Sequence, residues 1–294
     1  MRHAFLIIAH NEPAVLGLLL SLLDTEEADI YLHIDRRADA LYGQFAAWRP
    51  THARFWPLAD RRAVCWGDIS QVDVELDLFS AAHACGPYAY YHLLSGTDLP
   101  LCAPAEMFSF FARHQGREFV HFWQSEAHRR DLRRKVARYY LFTRHLKDKG
   151  TLVHALTAPV RNLCLALQKL TGYSRRADAP FCKGSNWVSV TEAFCTHLLE
   201  QAPALHRRLT RTLCPDEVFV QTVLWNSPFR ERLFSTADDI TKASLRHIDW
   251  QRGHPYVWQD ADFDELMASG ALFARKFSGA DAALLRRIGE ACGH

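Results

Sequence analysis

Apolar positions recur along the chain with two different periods, and each change of period marks a new element. Ala4-Phe5-Leu6-Ile7-Ile8-Ala9 is an unbroken apolar run, which suits a strand buried on both faces in a parallel sheet between helices. Asn11 then stands where a helix cap is wanted, Pro13 fits the first turn, and Leu16, Leu19, Leu20 and Leu23 recur at helical spacing. Asp29 to Ile34 reads as a returning strand that ends in Asp35-Arg36-Arg37, so the chain opens as a βαβ unit. A short strand at Arg54 to Leu58, a helix carrying Ile69, Val72, Leu76 and Phe79, and a strand from Tyr88 to Leu94 continue the alternation. The pattern predicts an α/β fold, a Rossmann-like mixed sheet flanked by helices. Ligands of such sheets bind beyond the carboxyl ends of the strands. Ala9-His10, Asp35 and Ser95 to Asp98 would occupy that edge.

The second half is less regular. Glu118 to Trp123 reads as a strand, followed by a basic helical segment from His128 to Tyr140. On that helix Leu132, Val136 and Tyr139 or Tyr140 fall together, while Arg130, Arg134 and Arg138 form a cationic line. Such a line is ordinarily a solvated face; an acidic acceptor or an anionic membrane surface is the sharper use. Val153, Leu156, Val160, Leu163, Leu167 and Leu170 form a long stripe, interrupted by Pro159, that is expected to kink there and pack against the domain. Ser174 to Ala179 reads as a polar loop. A strand is expected at Trp187 to Val190, helices at Glu192 to Glu200 and Asp216 to Trp225, a late strand at Leu245 to Trp250, and a closing helix at Asp281 to Glu290. No repeat or flexible linker divides the chain, so residues 1–294 read as one domain.

Composition removes several classes. Hydrophobic content of 49% and charged content of 23% are ordinary for a soluble globular protein. A net charge of +2 argues against a general nucleic-acid binder. The eight cysteines lack a C-x-x-C pair, and His197 near Cys195 lacks the other ligands of a zinc site, so buried free thiols are expected. Six apolar residues at the start are too few for a signal-peptide core or a membrane span, which suggests a cytoplasmic protein.

The chemistry is expected around Cys214-Pro215-Asp216-Glu217. Proline suits the first turn of a helix, and carboxylates after it meet the positive end of the helix dipole. Helix stabilisation alone would account for that pair. Lys183-Gly184-Ser185-Asn186-Trp187 upstream and Leu272-Phe273-Ala274-Arg275-Lys276-Phe277 downstream raise Glu217 above it, because a base, a polar and aromatic strand, and a cation together make a transfer site. The chain has no G-x-G-x-x-G after a strand, no G-x-x-x-x-G-K-[ST], no G-x-S-x-G and no H-E-x-x-H.

These pieces, with Ala9-His10-Asn11, His33-Ile34-Asp35, Trp66-Gly67 and Ser95 to Leu101, resemble glycosyltransferase family 14 through almost the whole chain. That family comprises core-2 and I-branching β-1,6-N-acetylglucosaminyltransferases, xylosyltransferases and bacterial relatives. The resemblance implies a GT-A fold, with a nucleotide-sugar-binding half at 1–115 and an acceptor-binding and catalytic half at 116–294. It implies inverting transfer of N-acetylglucosamine, xylose or glucose from a UDP-sugar to a glycan or other hydroxyl, without an essential metal, in the making of a bacterial surface glycan. Peripheral contact with the cytoplasmic face of a membrane is compatible with it.

By the same resemblance Glu217 is the general base and Lys276 the diphosphate-binding cation. Ala9, His10, Asp35, Trp66 and Asp98 belong to the donor site, and Ser185, Asn186, Trp187 and Arg138 to the acceptor site. The family's second diphosphate-binding arginine has no clear match; Arg252 and His254 stand near its place, and Arg246 farther off. Asp260-Ala261-Asp262 spells a metal-binding Asp-x-Asp but falls late, where capping the next helix is the better reading. Two other readings compete. A nucleotide-sugar or glycan binding protein would keep the pocket without transfer, and a glycoside hydrolase would need a second carboxylate facing Glu217.

Overall fold

The computed structural model describes residues 1–175 and 180–293; the polar loop expected at Ser174 to Ala179 lies mostly outside them. Strand β1 (His3–Ala9), helix α1 (Pro13–Leu22), β2 (Ala28–Ile34), α2 (Asp39–Phe45), β3 (Arg54–Pro57), α3 (Ser70–His83), β4 (Tyr90–Ser95), β5 (Asp98–Pro100) and α4 (Pro104–Arg113) build the first part. The rest follows as α5 (Glu126–Val136), α6 (Leu152–Leu170), β6 (Ser189–Thr191), α7 (Glu192–Leu209), α8 (Asp216–Trp225), α9 (Ile240–Ser244), β7 (Arg246–Ile248), α10 (Phe263–Ala268), β8 (Phe273–Arg275) and α11 (Ala282–Ala291).

The main sheet has the order β3-β2-β1-β4-β6, parallel except for β6, which runs against β4. The unbroken apolar run of β1 has its explanation in the two cores it serves. Phe5, Ile7 and Ala9 enter one with α1 and α11, while Ala4 and Leu6 enter the other with α3, α7 and α8. Phe5, Leu6 and Ile7 each contribute about 1.5–3 kcal/mol on burial, and the alanines less. This is the mixed α/β architecture that the apolar pattern predicts. A second sheet, β5-β8-β7, joins the turn after β4 to the end of the chain. Both sheets therefore cross the line drawn at residue 115.

Five local expectations change. Glu12, not Asn11, caps α1; its carboxylate accepts from the Gly279 amide at 2.6 Å and from the Ser278 hydroxyl, tying the helix start to the chain end. Glu118 to Trp123 is no ladder strand and makes only single bridges, Glu118 with Leu233 and Phe119 with Ser189. The cationic line breaks because α5 ends at Val136; Arg134 pairs with Asp131 at 2.7 Å, and Arg138 lies beyond the helix. Helix α7 continues through Pro203 to Leu209.

The largest change concerns α6, which runs unbroken through Pro159 and turns its leucines outward instead of packing them. Its buried side chain is Arg161. All eight cysteines are free, as expected, but only Cys195, Cys214 and Cys292 are buried. Among the described residues no helix is long and apolar enough to cross a membrane.

Candidate active site

The carboxyl ends of β1, β2 and β4 open onto a cavity of about 440 Å³, at the edge that a parallel sheet reserves for ligands. Ala9, His10, Asp35 and Ser95 to Thr97 come from those strand ends; Trp66, Asn186, Trp187, Arg275 and Lys276 complete the expected part of the wall. Gly96 lets the strand ends meet, since a Cβ there would lie 2.6 Å from the Ala9 Cβ. Gly184 is required more strongly, its missing Cβ falling 1.7 Å from the His121 carbonyl oxygen.

Cations dominate the wall. Lys276, Arg275, Arg37, Arg144 and Lys147 all line it, the last two from a loop the sequence did not single out. The His10 imidazole is held below its ordinary pKa by burial first, with Lys276, Arg37 and Arg275 opposing the pull of Asp35. Lys147 Nζ sits 4.4 Å from the centre of the half-exposed Trp66 ring, and the Arg275 guanidinium sits 4.1 Å from that of Trp187. No ion pair of Lys276 is found among the described residues, whereas Arg37 is bound to Asp35.

Asp35 reaches the cavity with its acceptor sites filled. It takes the Arg37 amide at 2.8 Å, the Arg37 side chain at 3.0 and 2.8 Å, and the Val64 amide at 2.9 Å. Burial opposes its ionisation, but these donors hold the carboxyl below the usual range. Its geometry is that of a loop organiser. Asp98 is fully buried away from the wall. It accepts the Ser95 amide at 3.0 Å and the Ser95 hydroxyl at 2.6 Å, and lies 3.4 Å from Arg275.

Arg252, His254, Ser185 and Arg138 do not line the cavity. Arg252 is consumed elsewhere: it pairs with Asp249, with Asp262 at 2.9 Å and with Glu265 at 2.8 Å, and lies over Tyr256. Arg246 is buried on the carbonyls of Ser244 and Val188. The Ser185 carbonyl accepts from Gln221 at 2.6 Å. Asp260 to Asp262 form a helical turn whose capping box joins Gln259 to Asp262; Asp262 stands at the N-cap of α10 without a side-chain bond there, so the expected cap of that helix is not made. Among the described residues no group of three His, Cys, Asp or Glu could hold a metal ion.

Glu217 stands beside this cavity without lining it. Its backbone carbonyl accepts the Gly184 amide at 2.9 Å, two residues before Asn186, which does line the wall. Its carboxylate accepts from Lys135 at 2.7 Å and lies 3.1 Å from Lys183; both lysines also meet Asp131, at 3.2 and 2.6 Å. Burial opposes ionisation of Asp131, yet the bond from Lys183 and the charges of both lysines hold its carboxyl far below the usual range. Lys135 is the buried residue of α5. Its place on the Leu132 and Val136 side was not read from the sequence, although a lysine beside that apolar face was the available signal.

A second missed residue is Glu75, which lines the cavity from α3. Burial first, and then the charge of Asp216, raise its pKa well above the ordinary value, and Asn186 lies 3.5 Å from one oxygen. A glutamate three residues after Val72 on the apolar face of α3 was the signal. Asp216 is raised in the same way, by burial and then by Glu217, and lies 3.4 Å from Gln71. Lys183 also lines a second cleft, walled by Trp123, Trp225, Phe122, Phe181, Gln124 and Arg129, rings and polar groups of the kind that stack on and bind sugars. Glu217 lines neither cavity, and its carboxylate lies 3.1 Å from Lys183, which lines the aromatic cleft.

Residues 3–265 match the family described as Branch: Core-2/I-Branching enzyme. The chain is 25% identical over 299 residues to Xylosyltransferase 2 of Rattus norvegicus and 23% identical over 298 residues to Xylosyltransferase 1 of Canis lupus familiaris. Each alignment covers 94% of this chain but only 32% and 29% of those proteins, so the chain spans about a third of the length of the curated relatives it matches. Among solved structures, mouse xyloside xylosyltransferase 1 in its apo form overlays 93% of this chain and 96% of that one, at 13% identity and a TM-score of 0.42.

Proposed function

The chain belongs to the Core-2/I-branching enzyme family, and on that premise we propose that it is an inverting glycosyltransferase using a UDP-sugar donor. The observation that carries this reading is the gathering of Lys276 and Lys147, which make no ion pair among the described residues, with Arg275 (3.4 Å from Asp98) and Arg144 (3.9 Å from Asp68) around one cavity at the strand ends, beside Trp66 and Trp187. A departing nucleoside diphosphate accumulates negative charge there, and preorganised cations stabilise it without rearrangement. Lys276, which carries no ion pair among the described residues, is the principal diphosphate contact. Arg275 takes the place in which the sequence suggested Arg252 or His254. No step needs a metal.

The acceptor, a glycan or other hydroxyl, enters from the aromatic cleft of Trp123 and Trp225 and passes Glu217 on its way to the donor. Glu217 removes the hydroxyl proton as the new bond forms, an assistance worth roughly 10²–10⁴-fold. Lys135 and Lys183 hold that carboxylate in place until the acceptor competes for it. Asn186 and Trp187 meet the transferred sugar from the cavity side. N-acetylglucosamine, xylose and glucose are the donor sugars to test, and a surface-glycan precursor is the acceptor class.

Release of UDP from a panel of UDP-sugars, with and without saccharide acceptors, tests the reading. Glu217→Gln should lower turnover by roughly 10²–10⁴-fold while UDP binding, measured by calorimetry, stays unchanged. A chelator should leave turnover intact; loss on chelation with recovery on adding manganese would overturn the metal-free part. The position of the Glu217 carboxylate off the cavity wall, bonded to two lysines, favours a second reading, a nucleotide-sugar binding protein without transfer. Tight UDP binding with no UDP release from any donor would establish that alternative.

A further inference from the structure

Helix α6 is inverted relative to the helices around it. Most side chains it turns toward the rest of the molecule are polar: Arg161 is buried, His154 donates to the His145 carbonyl at 2.8 Å, and Gln168 exchanges hydrogen bonds with the Tyr139 backbone at 2.8 and 3.0 Å, with Ala158, Cys164 and Leu165 half-buried beside them. Leu152, Leu156, Leu163, Leu167 and Leu170 point outward, between 51% and 85% exposed, with Val153 and Val160 beside them at 46% and 49%. At about 3.6 residues per turn, these positions and the exposed Ala155 and Ala166 cover nearly half of the helix circumference. Contiguous apolar surface of this kind marks an interaction site.

We propose that α6 lies on the surface of an anionic lipid bilayer, with its outward leucines at the depth of the headgroup boundary. Three observations choose this occupant. Between Asp148 and Asp178 the sequence contains no acidic residue, while Lys149 and Lys169, both exposed, flank the apolar face and Arg175 follows it. Phe142 and Tyr173, each 45% exposed, stand just before and just after the helix, and amphipathic or bulky rings favour the membrane interface. The helix is too short on apolar residues to span a bilayer, so it lies on the membrane rather than across it.

A second copy of the chain fits less well. Val153, Leu156, Val160, Leu163, Leu167 and Leu170 do follow the spacing of a coiled-coil seam. The flanking positions, however, are Leu152, Pro159 and Ala166 on one side and Thr157, Cys164 and Thr171 on the other. None of them carries the charges that set partner and register, and Thr157 and Cys164 are turned toward the chain's own domain.

Flotation of the whole chain with vesicles tests the proposal. One set is phosphatidylcholine alone and the other contains about one-third phosphatidylglycerol, whose negative surface attracts nearby basic residues. The chain should float with the anionic vesicles, less with the neutral ones, and less at high salt. Leu156→Asp with Leu163→Asp should reduce flotation at least tenfold and leave circular dichroism and thermal midpoint unchanged, because both side chains are already in water. Lys149→Glu with Lys169→Glu should reduce binding to the anionic vesicles only. Absence of flotation with either vesicle overturns the proposal, as does flotation that the leucine variant leaves unchanged. A concentration-dependent dimer in light scattering that the leucine variant dissociates, without vesicle binding, would assign the face to a second copy instead.

Discussion

Two pairs of lysines belong to the candidate site, one bonded to Glu217 and one on the cavity wall, and they differ in whether a carboxylate already claims them. Lys135 and Lys183 are bonded to Glu217 and Asp131, so their charge is spent inside the protein. Lys276 and Lys147 line the cavity at the strand ends, and neither has an ion pair among the described residues. A lysine beside a site is therefore no guide to anion binding until its partners are counted. The spent pair positions a carboxylate, and the unspent pair is left to meet an incoming anion. Arg252 teaches the same lesson from sequence distance: it stands near Lys276 in the chain, and three carboxylates hold it elsewhere.

The comparison is sharpest at Lys276. Its replacement by alanine should weaken UDP binding by roughly 10–100-fold, from the ~1.5–3 kcal/mol of a hydrogen bond to a charged group, with no change in the urea midpoint. If calorimetry finds UDP affinity unchanged, the cavity's cations are not the diphosphate site. Lys135→Met should do the reverse. It should destabilise the fold by about 1–3 kcal/mol, below the ~3–5 kcal/mol of a fully buried pair, because Asp131 and Glu217 keep contact with water. UDP affinity should be retained, and a loss equal to that of the Lys276 variant would erase the distinction.

Carboxylates without a cation show the opposite electrostatics to Asp131. Glu118 is buried on Thr191, with bonds of 2.9 and 2.5 Å, and burial pushes its pKa up to about 7. The folded state then holds a proton that the unfolded chain has released, so stability falls as pH rises from about 4.5 to about 7 and levels beyond. Other buried groups, the raised Glu75 and Asp216 and the lowered His33, His92 and His121, titrate over the same window in both chains, so the thermal midpoint of the parent measured relative to that of Glu118→Gln should fall as pH rises from about 4.5 to about 7. The smallest effect expected is that of Arg252→Ala: UDP affinity unchanged, and stability lowered by about 0–1 kcal/mol, as for exposed ion pairs.

The sequence showed the sheet better than the site because strands and cores follow from local period. Phe5 and Ile7 on one face and Leu6 on the other were implied by a run that never alternates. The cavity wall was legible where motif residues follow strand ends, as at His10 and Lys276, and at Trp66 in the loop before α3. It was illegible where a loop folds back, as at Arg144 and Lys147, since no period announces such a return. The grip of Lys135 on Glu217 spans 82 positions, beyond any pattern of spacing. The outward face of α6 failed for a physical reason: an amphipathic stripe records that one side is apolar, and only tertiary context decides what that side meets.

The small sheet β5-β8-β7 has a consequence for how the protein tolerates shortening. Residues 3–265 contain every strand of the large sheet, yet β8 and Lys276 come later. Asp98 pairs with Arg275, and the Phe277 amide bonds the Thr97 carbonyl at 2.9 Å. A fragment trimmed to the matched segment would keep the strands of the large sheet while losing α11 from one core, a wall of the cavity and the strand that pins the β4 turn. Minimal versions designed by homology alone would therefore stop a few residues short of a working cleft.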